Sequence, residues 1–331
     1  MMLLLSARFH RLPSMDTNSQ KIAIIGAGFM GPGISQVFAA HGHPVHIYNR
    51  TAERLSNIHE RVRANLQQMA AYGLVDAAAI GGVVGRIQTT TDLEEACAGA
   101  EVVIESIPEY LEPKQELFER LDRICAPEVC LCSNTSGISI KQIGARTKHI
   151  ERVLGTHFYQ PPFLVPLVEV IRTDVSDERL VHKVFNLLRD AGKVPIHVKR
   201  DVPGFVANKL QHALWRQAFA LIDEGVCDPE TIDVAISNSF GMRLPVLGPV
   251  ANADMVGLDL TLAIHNHVLP HLDVSTEPSD TLRKHVEAGQ LGFKTGSGFL
   301  TWDEASIAET RQKLTKHLLE MLSASKARAH V

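Results

Sequence analysis

Four residues have the types and the order along the chain that hydroxyl–keto redox chemistry requires. Ser136 lies in SNTSG, His157 ends VLGTH, Glu169 lies in LVEVI and Asn208 lies in PGFVANKL. A histidine titrates near neutral pH and can take the hydroxyl proton, while a carboxylate on its other ring nitrogen fixes the tautomer and stabilises the imidazolium. We therefore predict His157 as the base and Glu169 as its carboxylate, with Ser136 and Asn208 as hydrogen-bonding partners of the substrate oxygen. Each of these residues taken alone is more often structural, so the prediction depends on their occurrence together.

A glycine-rich segment near the start of the pattern predicts a phosphate-binding turn. The run Gly26-Ala27-Gly28-Phe29-Met30-Gly31 follows a β-branched stretch, KIAII, and precedes an apolar-periodic stretch typical of a helix. In this context the first glycine permits a tight turn, the second lets backbone N–H groups approach a pyrophosphate, and the third lets the helix pack closely on the strand. The helix N-terminus then faces the anion. We predict that Gly26, Gly28, Phe29, Met30 and Gly31 bind the pyrophosphate of a nicotinamide dinucleotide.

The end of the second predicted strand leaves the choice between NAD and NADP open. An NAD site usually presents Asp or Glu there, which binds the ribose 2′-OH. This sequence has Asn49-Arg50-Thr51 instead. The neutral Asn49 does not repel a 2′-phosphate and Arg50 can bind one. Alternatively, Asn49 bonds the 2′-OH and Arg50 is a solvated residue at a helix start.

Strands and helices alternate up to about residue 198, which predicts a mostly parallel sheet covered on both faces. Beyond residue 199 only helical patterns occur. The predicted fold class is therefore α/β, with a Rossmann-type, doubly wound, mostly parallel sheet and a second, all-helical C-terminal domain. The predicted divisions are an extension at 1–19, a dinucleotide-binding domain at 20–198 and a helical domain at 199–331. Strands are predicted at 101–105, 129–132, 153–157, 167–171 and 194–198, and helices at 52–71, 110–124, 177–191, 204–223, 229–237, 259–271 and 304–323.

Composition excludes several classes of protein. The 331 residues carry a net charge of −4, which does not favour nucleic acid or an anionic membrane as a partner, and no run is long and apolar enough to span a bilayer. The five cysteines are sparse, which favours reduced thiols and a cytoplasmic protein. The first residues are expected to be a disordered extension, with a transit peptide as the alternative. His267 and His271 have metal-ligand spacing, but without a nearby glutamate we expect no metal site.

The sequence resembles the L-3-hydroxyacyl-CoA dehydrogenase family over most of its length, from about residue 21 to 302. The resemblance implies a Rossmann-type domain, a helical domain that mediates homodimerisation, and hydride transfer between a nicotinamide and a 3-hydroxy or 3-keto substrate of fatty acid metabolism. It makes His157 and Glu169 a catalytic dyad and Ser136 and Asn208 contacts of the substrate oxygen. It implies cofactor contacts for Glu109, Lys114, Ser136 and Lys294. The matching stretches are GAGFMG, SNTSG, GTHFYQPPFLVPLVEVI, DVPGFVANKL and GFKTGSGF.

Three departures from the family pattern concern cofactor and substrate. Asn49 replaces the usual acid, and the family's HFFNPxPxMxLVE reads HFYQPPFLVPLVE, with Gln160 in place of Asn. Segment 52–72 has no lysine, which acyl-CoA enzymes use there for the coenzyme A phosphates. It has only arginines, which can also bind phosphate: Arg54, Arg61 and Arg63.

The resemblance is divided among branches of the family. ANADMVGLDL and GFKTGSGF are similar to the acyl-CoA enzymes, and FGMRLPVLGP is similar to the lambda-crystallin type, which oxidises L-gulonate, and to L-carnitine dehydrogenases. SNTSGI and MGPG are similar to a pyridine-carboxylate dehydrogenase of vitamin B6 breakdown. We expect hydride transfer between NAD(P) and a short-chain 3-hydroxyacyl-CoA such as 3-hydroxybutyryl-CoA. The alternatives are a dehydrogenase of a free hydroxy acid or small polar alcohol, and a non-catalytic, cofactor-binding structural protein.

Overall fold

The computed structural model describes residues 19–328, which form two compact units. The first unit contains residues 19–208 and 315–328, and the second contains residues 209–314. The expectations for the N-terminal extension concern residues that lie almost wholly outside the described part. The division predicted at residues 198 and 199 stays a prediction, and the first unit as observed runs on to Asn208 and takes in the end of the last helix.

The first unit is built on one eight-stranded sheet with the strand order β3-β2-β1-β4-β5-β6-β7-β8. All neighbouring strands are parallel except β6 and β7, so the predicted mostly parallel, doubly wound sheet is confirmed. The strands are β1 (Ile22–Ile25), β2 (Val45–Tyr48), β3 (Ile87–Thr90), β4 (Val102–Glu105), β5 (Cys130–Ser133), β6 (Val153–Phe158), β7 (Leu167–Ile171) and β8 (Val194–Val198).

Helices cover both faces of this sheet. Alternate residues of β1 enter different cores: Ile24 packs with Phe38 of one helix layer, and Ile25 packs with Phe118 of the other. Period-2 alternation explains this arrangement, because successive side chains of a strand point to opposite faces. The helices of this unit are α1 (Gly31–Ala40), α2 (Ile58–Ala71), α3 (Ile80–Gly85), α4 (Leu93–Cys97), α5 (Leu111–Ile124), α6 (Ile140–Ile143) and α7 (Glu178–Asp190).

Two details of this unit differ from the sequence prediction. Strand β3 was not predicted, because only Ile87 is buried in this edge strand and Gln88 beside it is exposed, so the segment lacks an apolar pattern. The helix predicted at 52–71 begins only at Ile58, and a separate 3₁₀ turn occupies Ala52–Arg54.

The second unit is helical, as predicted. The helix expected at 204–223 begins at Ala207, because Gly204 (φ +73°) and Phe205 (φ +48°) have left-handed backbone conformations that a right-handed helix cannot include. The helix expected at 259–271 ends at Val268 and a 3₁₀ turn with Pro270 follows. The remaining helices are α8 (Ala207–Asp223), α9 (Pro229–Ser237), α10 (Phe240–Arg243), α11 (Pro249–Val256), α12 (Leu258–Val268), α13 (Asp280–Glu287) and α14 (Glu304–Arg328).

Candidate active site

The one antiparallel strand pair of the sheet brings His157 and Glu169 face to face. His157 of β6 and Glu169 of β7 are direct partners in the strand register. Imidazole Nδ1 lies 2.8 Å from carboxylate Oε2. Both side chains are buried, with His157 4% exposed and Glu169 0% exposed. The pair is therefore set by the register of two adjacent strands and not by a mobile loop.

The second oxygen of Glu169 accepts hydrogen bonds from the backbone at the start of helix α8. Oε1 accepts hydrogen bonds from the backbone N–H groups of Val206 at 2.9 Å and Ala207 at 3.0 Å. Burial opposes ionisation, but hydrogen bonds from His157, from these two amides and from Tyr159 outweigh it and hold the pKa of Glu169 below its ordinary value. A helix N-terminus also favours a negative charge. Glu169 is thus an ionised carboxylate in a closed environment.

An ionised Glu169 determines the tautomer of His157. A carboxylate can only accept, so Nδ1 carries the proton that is donated to Oε2. Nε2 is then the unprotonated nitrogen, which can take a proton from a hydroxyl group. The arrangement has the chemistry of a general base with a carboxylate that stabilises its protonated form.

Ser136 and Asn208 are brought together within the first unit. The amide Nδ2 of Asn208 donates to the backbone carbonyl of Ser136 at 2.9 Å. The neighbouring Asn134 accepts a hydrogen bond from the Phe158 N–H at 2.8 Å, directly after His157. The loop after β5 is therefore joined both to the end of β6 and to the start of α8. Ser136, which lies in this loop, is exposed.

The carboxylate of Glu109 accepts three hydrogen bonds from this loop. Its Oε1 accepts the Thr135 hydroxyl at 2.5 Å and the N–H groups of Ser136 at 2.9 Å and Gly137 at 3.3 Å. Burial opposes its charge, while Thr135, Lys114 and the Ser136 amide lower the pKa of Glu109 below its ordinary value.

Lys114 supports the same region as a buried ion pair. It is 1% exposed, and its ammonium lies 2.6 Å from Glu105 Oε1 and 3.4 Å from Glu109 Oε2. Glu105 also accepts the Ser133 hydroxyl at 2.6 Å. The charge of Lys114 is therefore shared between two carboxylates of the protein.

The glycine turn has the geometry that a pyrophosphate-binding loop requires. A Cβ on Gly26, where φ is +116°, would lie 2.5 Å from the Ser106 carbonyl oxygen, and a Cβ on Gly31 would lie 1.9 Å from the Gly26 carbonyl oxygen. At Gly28 nothing lies within 4 Å, so the loop presents open space there. Phe29 is exposed and Met30 directly precedes helix α1. The first and third glycines are thus required by close packing, and the second leaves room for a ligand.

A cavity of about 540 Å³ adjoins this turn at the carboxyl ends of the strands. Gly26, Asn49 and Arg50 line it, together with apolar side chains such as Ile107 and Leu117. Asn49 Oδ1 accepts the N–H of Ala27 at 3.3 Å, and its Nδ2 donates to the Thr51 carbonyl at 3.0 Å. Apolar walls beside a polar amide and a phosphate loop suit an adenosine half. The residues present therefore fit NAD.

The remaining predicted residues are the arginines of segment 52–72 and Lys294. Arg61 contacts the turn through its Nη2, 3.4 Å from the Gly28 carbonyl oxygen, whereas Arg54 and Arg63 are exposed. Lys294 lies in the second unit, in an exposed turn bridged by Gly292 and Ser297. Among residues 19–328 no cluster of three or more His, Cys, Asp or Glu can hold a metal ion, and no helix is long and apolar enough to cross a membrane.

Tyr159 and Asn134 are site residues that the sequence analysis did not single out. The Tyr159 hydroxyl donates to Glu169 Oε2 at 3.0 Å, and its ring centroid lies 4.4 Å from that of His157. The signal for Tyr159 was its place two residues after His157, where alternation puts both side chains on one face of the strand. Asn134 had no comparable signal, because its bond to Phe158 joins two separate strands.

Two sequence models match the chain in succession. The 3-hydroxyacyl-CoA dehydrogenase NAD binding domain matches residues 21–202, and the C-terminal domain of the same enzymes matches residues 204–302. The chain belongs to the 3-hydroxyacyl-CoA dehydrogenase family. It is therefore an NAD-dependent oxidoreductase, whereas the sequence alone left the choice between NAD and NADP open.

Individual relatives in the 3-hydroxyacyl-CoA dehydrogenase family carry different names. A probable 3-hydroxybutyryl-CoA dehydrogenase of Bacillus subtilis is 38% identical over 286 residues, covering 86% of this chain and 98% of the relative. A 5-formyl-3-hydroxy-2-methylpyridine 4-carboxylate 5-dehydrogenase of Mesorhizobium japonicum is 33% identical over 302 residues, covering 89% and 96%.

The solved structures that resemble this chain also include both kinds of dehydrogenase. The crystal structure of a 5-formyl-3-hydroxy-2-methylpyridine 4-carboxylic acid 5-dehydrogenase, described as an NAD+ dependent dismutase, matches with a TM-score of 0.87 and 29% identity, covering 93% of this chain and 99% of that one. An (S)-3-hydroxybutyryl-CoA dehydrogenase from Ralstonia eutropha matches with a TM-score of 0.71 and 32% identity, covering 87% and 100%.

Proposed function

We propose that this enzyme transfers hydride between NAD and the 3-position of a short-chain 3-hydroxyacyl-CoA, with 3-hydroxybutyryl-CoA as the model substrate. The observation that carries the proposal is the buried His157–Glu169 pair, in which Nδ1 is bonded and Nε2 is the free base. The 38% identity to the 3-hydroxybutyryl-CoA relative supports the choice of substrate.

In oxidation, His157 Nε2 takes the proton of the 3-hydroxyl group, and Glu169 stabilises the imidazolium that forms. A bound nicotinamide would supply the acceptor for the hydride that leaves carbon 3. The Ser136 hydroxyl and the second N–H of the Asn208 amide hold the substrate oxygen. In reduction, His157 returns the proton to the same oxygen.

Most of the residues that would hold the cofactor lie in the first unit. Main-chain N–H groups of the glycine turn would bind the pyrophosphate, and Asn49 and Arg50 would bind the adenosine ribose. Glu109 and Lys114 act by holding the loop that carries Ser136, and Lys294 is a cofactor contact supported by the resemblance alone. The residues assigned to the turn are Gly26, Gly28, Phe29, Met30 and Gly31.

A second candidate substrate is a free pyridine carboxylate. The TM-score of 0.87 to the pyridine-carboxylate dehydrogenase favours it, and so does the absence of lysine from residues 52–72. Both candidates use the same dyad, so they differ in substrate binding and not in the chemical step.

We place the enzyme in the cytoplasm as a homodimer, with a role in fatty acid metabolism. Five free cysteines, of which four are buried, support a reducing compartment. Many large apolar side chains of the second unit are exposed, which supports an association surface there.

The deciding experiment combines a substrate panel with His157→Ala. Oxidation of NADH is followed with acetoacetyl-CoA and, in parallel, oxidation of free hydroxy and pyridine carboxylates is followed with NAD. We expect turnover with acetoacetyl-CoA, and a decrease of about 10²-fold or more in kcat for His157→Ala with unchanged NADH affinity. His149→Ala, at a half-exposed histidine whose Nδ1 lies 3.2 Å from Glu151 Oε1, is the matched control. Turnover of the variant at the wild-type rate would refute the role of His157, and activity on the pyridine carboxylates alone would favour the second candidate.

A further inference from the structure

The oxygen of Glu169 that bonds the catalytic histidine has a second donor. Oε2 accepts the Nδ1–H of His157 at 2.8 Å and the hydroxyl of Tyr159 at 3.0 Å. The phenol ring and the imidazole ring are tilted at 53°, with centroids 4.4 Å apart. The two donors therefore share one acceptor atom and also pack against each other.

The direction of this hydrogen bond is determined. Burial, with the adjacent charge of Glu169 as the next cause, raises the pKa of the Tyr159 phenol above its ordinary value, so the hydroxyl keeps its proton. Glu169 is ionised for the reasons given above. Tyr159 is consequently the donor and the carboxylate is the acceptor.

We propose that Tyr159 is a positioning residue of the dyad, whose hydroxyl shares Glu169 Oε2 with the Nδ1–H of His157 and so limits how strongly the carboxylate stabilises the protonated imidazole. This inference rests on the proposed function of His157 as base. A carboxylate oxygen that already accepts a phenol hydrogen bond carries less negative charge density toward a second donor. It therefore stabilises the imidazolium less.

The other groups around the dyad do not supply this effect. Glu169 Oε1 is occupied by the two α8 amides, from Val206 and Ala207. Phe205, whose ring centroid lies 5.8 Å from that of His157, is apolar. Glu169 and Tyr159 are thus the titratable groups recorded in direct contact with His157 within residues 19–328. The hydroxyl is the one donor that a conservative substitution can remove.

The test is Tyr159→Phe, which keeps the ring and restores the phenylalanine of the family pattern. We expect the acid limb of kcat/KM for oxidation to move to higher pH by about 0.5 to 1 unit, which is roughly a threefold to tenfold loss on that limb. Removing the Tyr159 hydroxyl has two effects, and both move the acid limb to higher pH. The imidazolium of His157 is stabilised more strongly, and Glu169 itself is protonated more easily. The plateau above the limb and the KM for NAD are expected to change little. Tyr72→Phe, at a tyrosine packed beside Leu74 away from the dyad, is the control.

A second readout does not depend on substrate. In the variant the Nδ1–H of His157 has Oε2 to itself, so its proton resonance is expected to move downfield. An acid limb and a proton resonance that both match wild type would overturn the proposal, even if activity fell, because a merely structural role moves neither. Failure of the proposed function would appear differently, as wild-type protein without turnover of any substrate in the panel.

Discussion

The carboxylate of Glu169 accepts four hydrogen bonds, from His157, Tyr159, Val206 and Ala207. A buried charge is costly unless its hydrogen-bonding capacity is filled. Here β6, the residue that follows it and the start of α8 supply the donors, so Glu169 remains ionised while it is fully buried. The types of the two dyad residues could be predicted from sequence, because a histidine near a strand end and a glutamate within a neighbouring strand suggest a base and its carboxylate. The identity of the other three donors could not be predicted, because two are backbone amides and the third, Tyr159, lies beyond the predicted strand 153–157.

Asn49 carries the residue-scale prediction on cofactor choice. Its Oδ1 accepts a hydrogen bond from the Ala27 N–H of the glycine turn, and a carboxylate oxygen could accept the same bond. Asn49→Asp adds a negative charge beside the ribose, which favours a free 2′-OH and repels a 2′-phosphate. We expect the ratio of kcat/KM with NADH to that with NADPH to rise roughly tenfold, which corresponds to about 1.4 kcal/mol.

The control for this change is Asn57→Asp, an exposed asparagine before α2 whose side chain caps nothing. Steady-state kinetics with both reduced cofactors measure the ratio. A ratio that does not change in Asn49→Asp, or wild-type protein that does not use NADPH, would show that Asn49 does not set the preference.

The loop between β6 and β7 connects the two strands whose register sets the dyad geometry. Lys193, 7% exposed at the start of β8, donates from Nζ to the carbonyl oxygens of Pro162 and, at 3.0 Å, Val165. Helix α1 contacts the same loop, since a Cβ on Gly33 would lie 2.6 Å from Pro162 Cγ. The loop that connects His157 to Glu169 is thus held from two sides. Sequence patterns predicted both strands but not this anchorage, since a lysine after Gly192 has no local feature that indicates burial.

Lys193 gives the element-scale prediction, which concerns stability and pH. Burial lowers the pKa of Lys193 from 10.5 to about 7. Between these values the unfolded chain holds the proton and the folded chain has released it, so this group lowers stability fully below about pH 7 and progressively less as the pH rises toward about 10.5. Lys193→Met removes the effect. We expect the variant's free energy of unfolding, relative to wild type, to be about 3 kcal/mol higher at about pH 6 than at about pH 9.5.

Urea unfolding of the full chain at both pH values measures this difference. Lys199→Met, at an exposed lysine beyond the end of β8, is the matched control and should show no such dependence. If the Lys193→Met and wild-type curves differ equally at the two pH values, the ammonium is not neutralised on folding in this range.

At the scale of the whole molecule, the second unit exposes many more large apolar side chains than the first unit does. Leu258 and Leu262 lie one turn apart on α12 and are 63% and 62% exposed. Residues four apart share a helix face, so these two leucines form part of one apolar stripe. Stripes of this kind on a soluble protein mark association surfaces.

The corresponding prediction is a dimer of twice the chain mass of 36.3 kDa. We expect light scattering to give this mass for wild type, and the chain mass for the double variant Leu258→Glu, Leu262→Glu, because two charges in an apolar contact are strongly unfavourable. Val175→Glu, at an exposed valine of the first unit, should remain dimeric. A wild-type monomer, or a double variant that stays dimeric, would remove α12 from the interface.

The sequence by itself determined the chemistry-bearing residue types, the glycine turn, most strands and the α/β class. These follow from local patterns: glycines at fixed offsets, apolar runs of strand length, and helical periodicity. Tertiary structure alone decided which donors occupy each oxygen of Glu169, that Tyr159 shares Oε2 with His157, and that Lys193 holds the β6–β7 loop. Each of these depends on strand register or on segments that are distant along the chain, and no local pattern records which distant groups will meet.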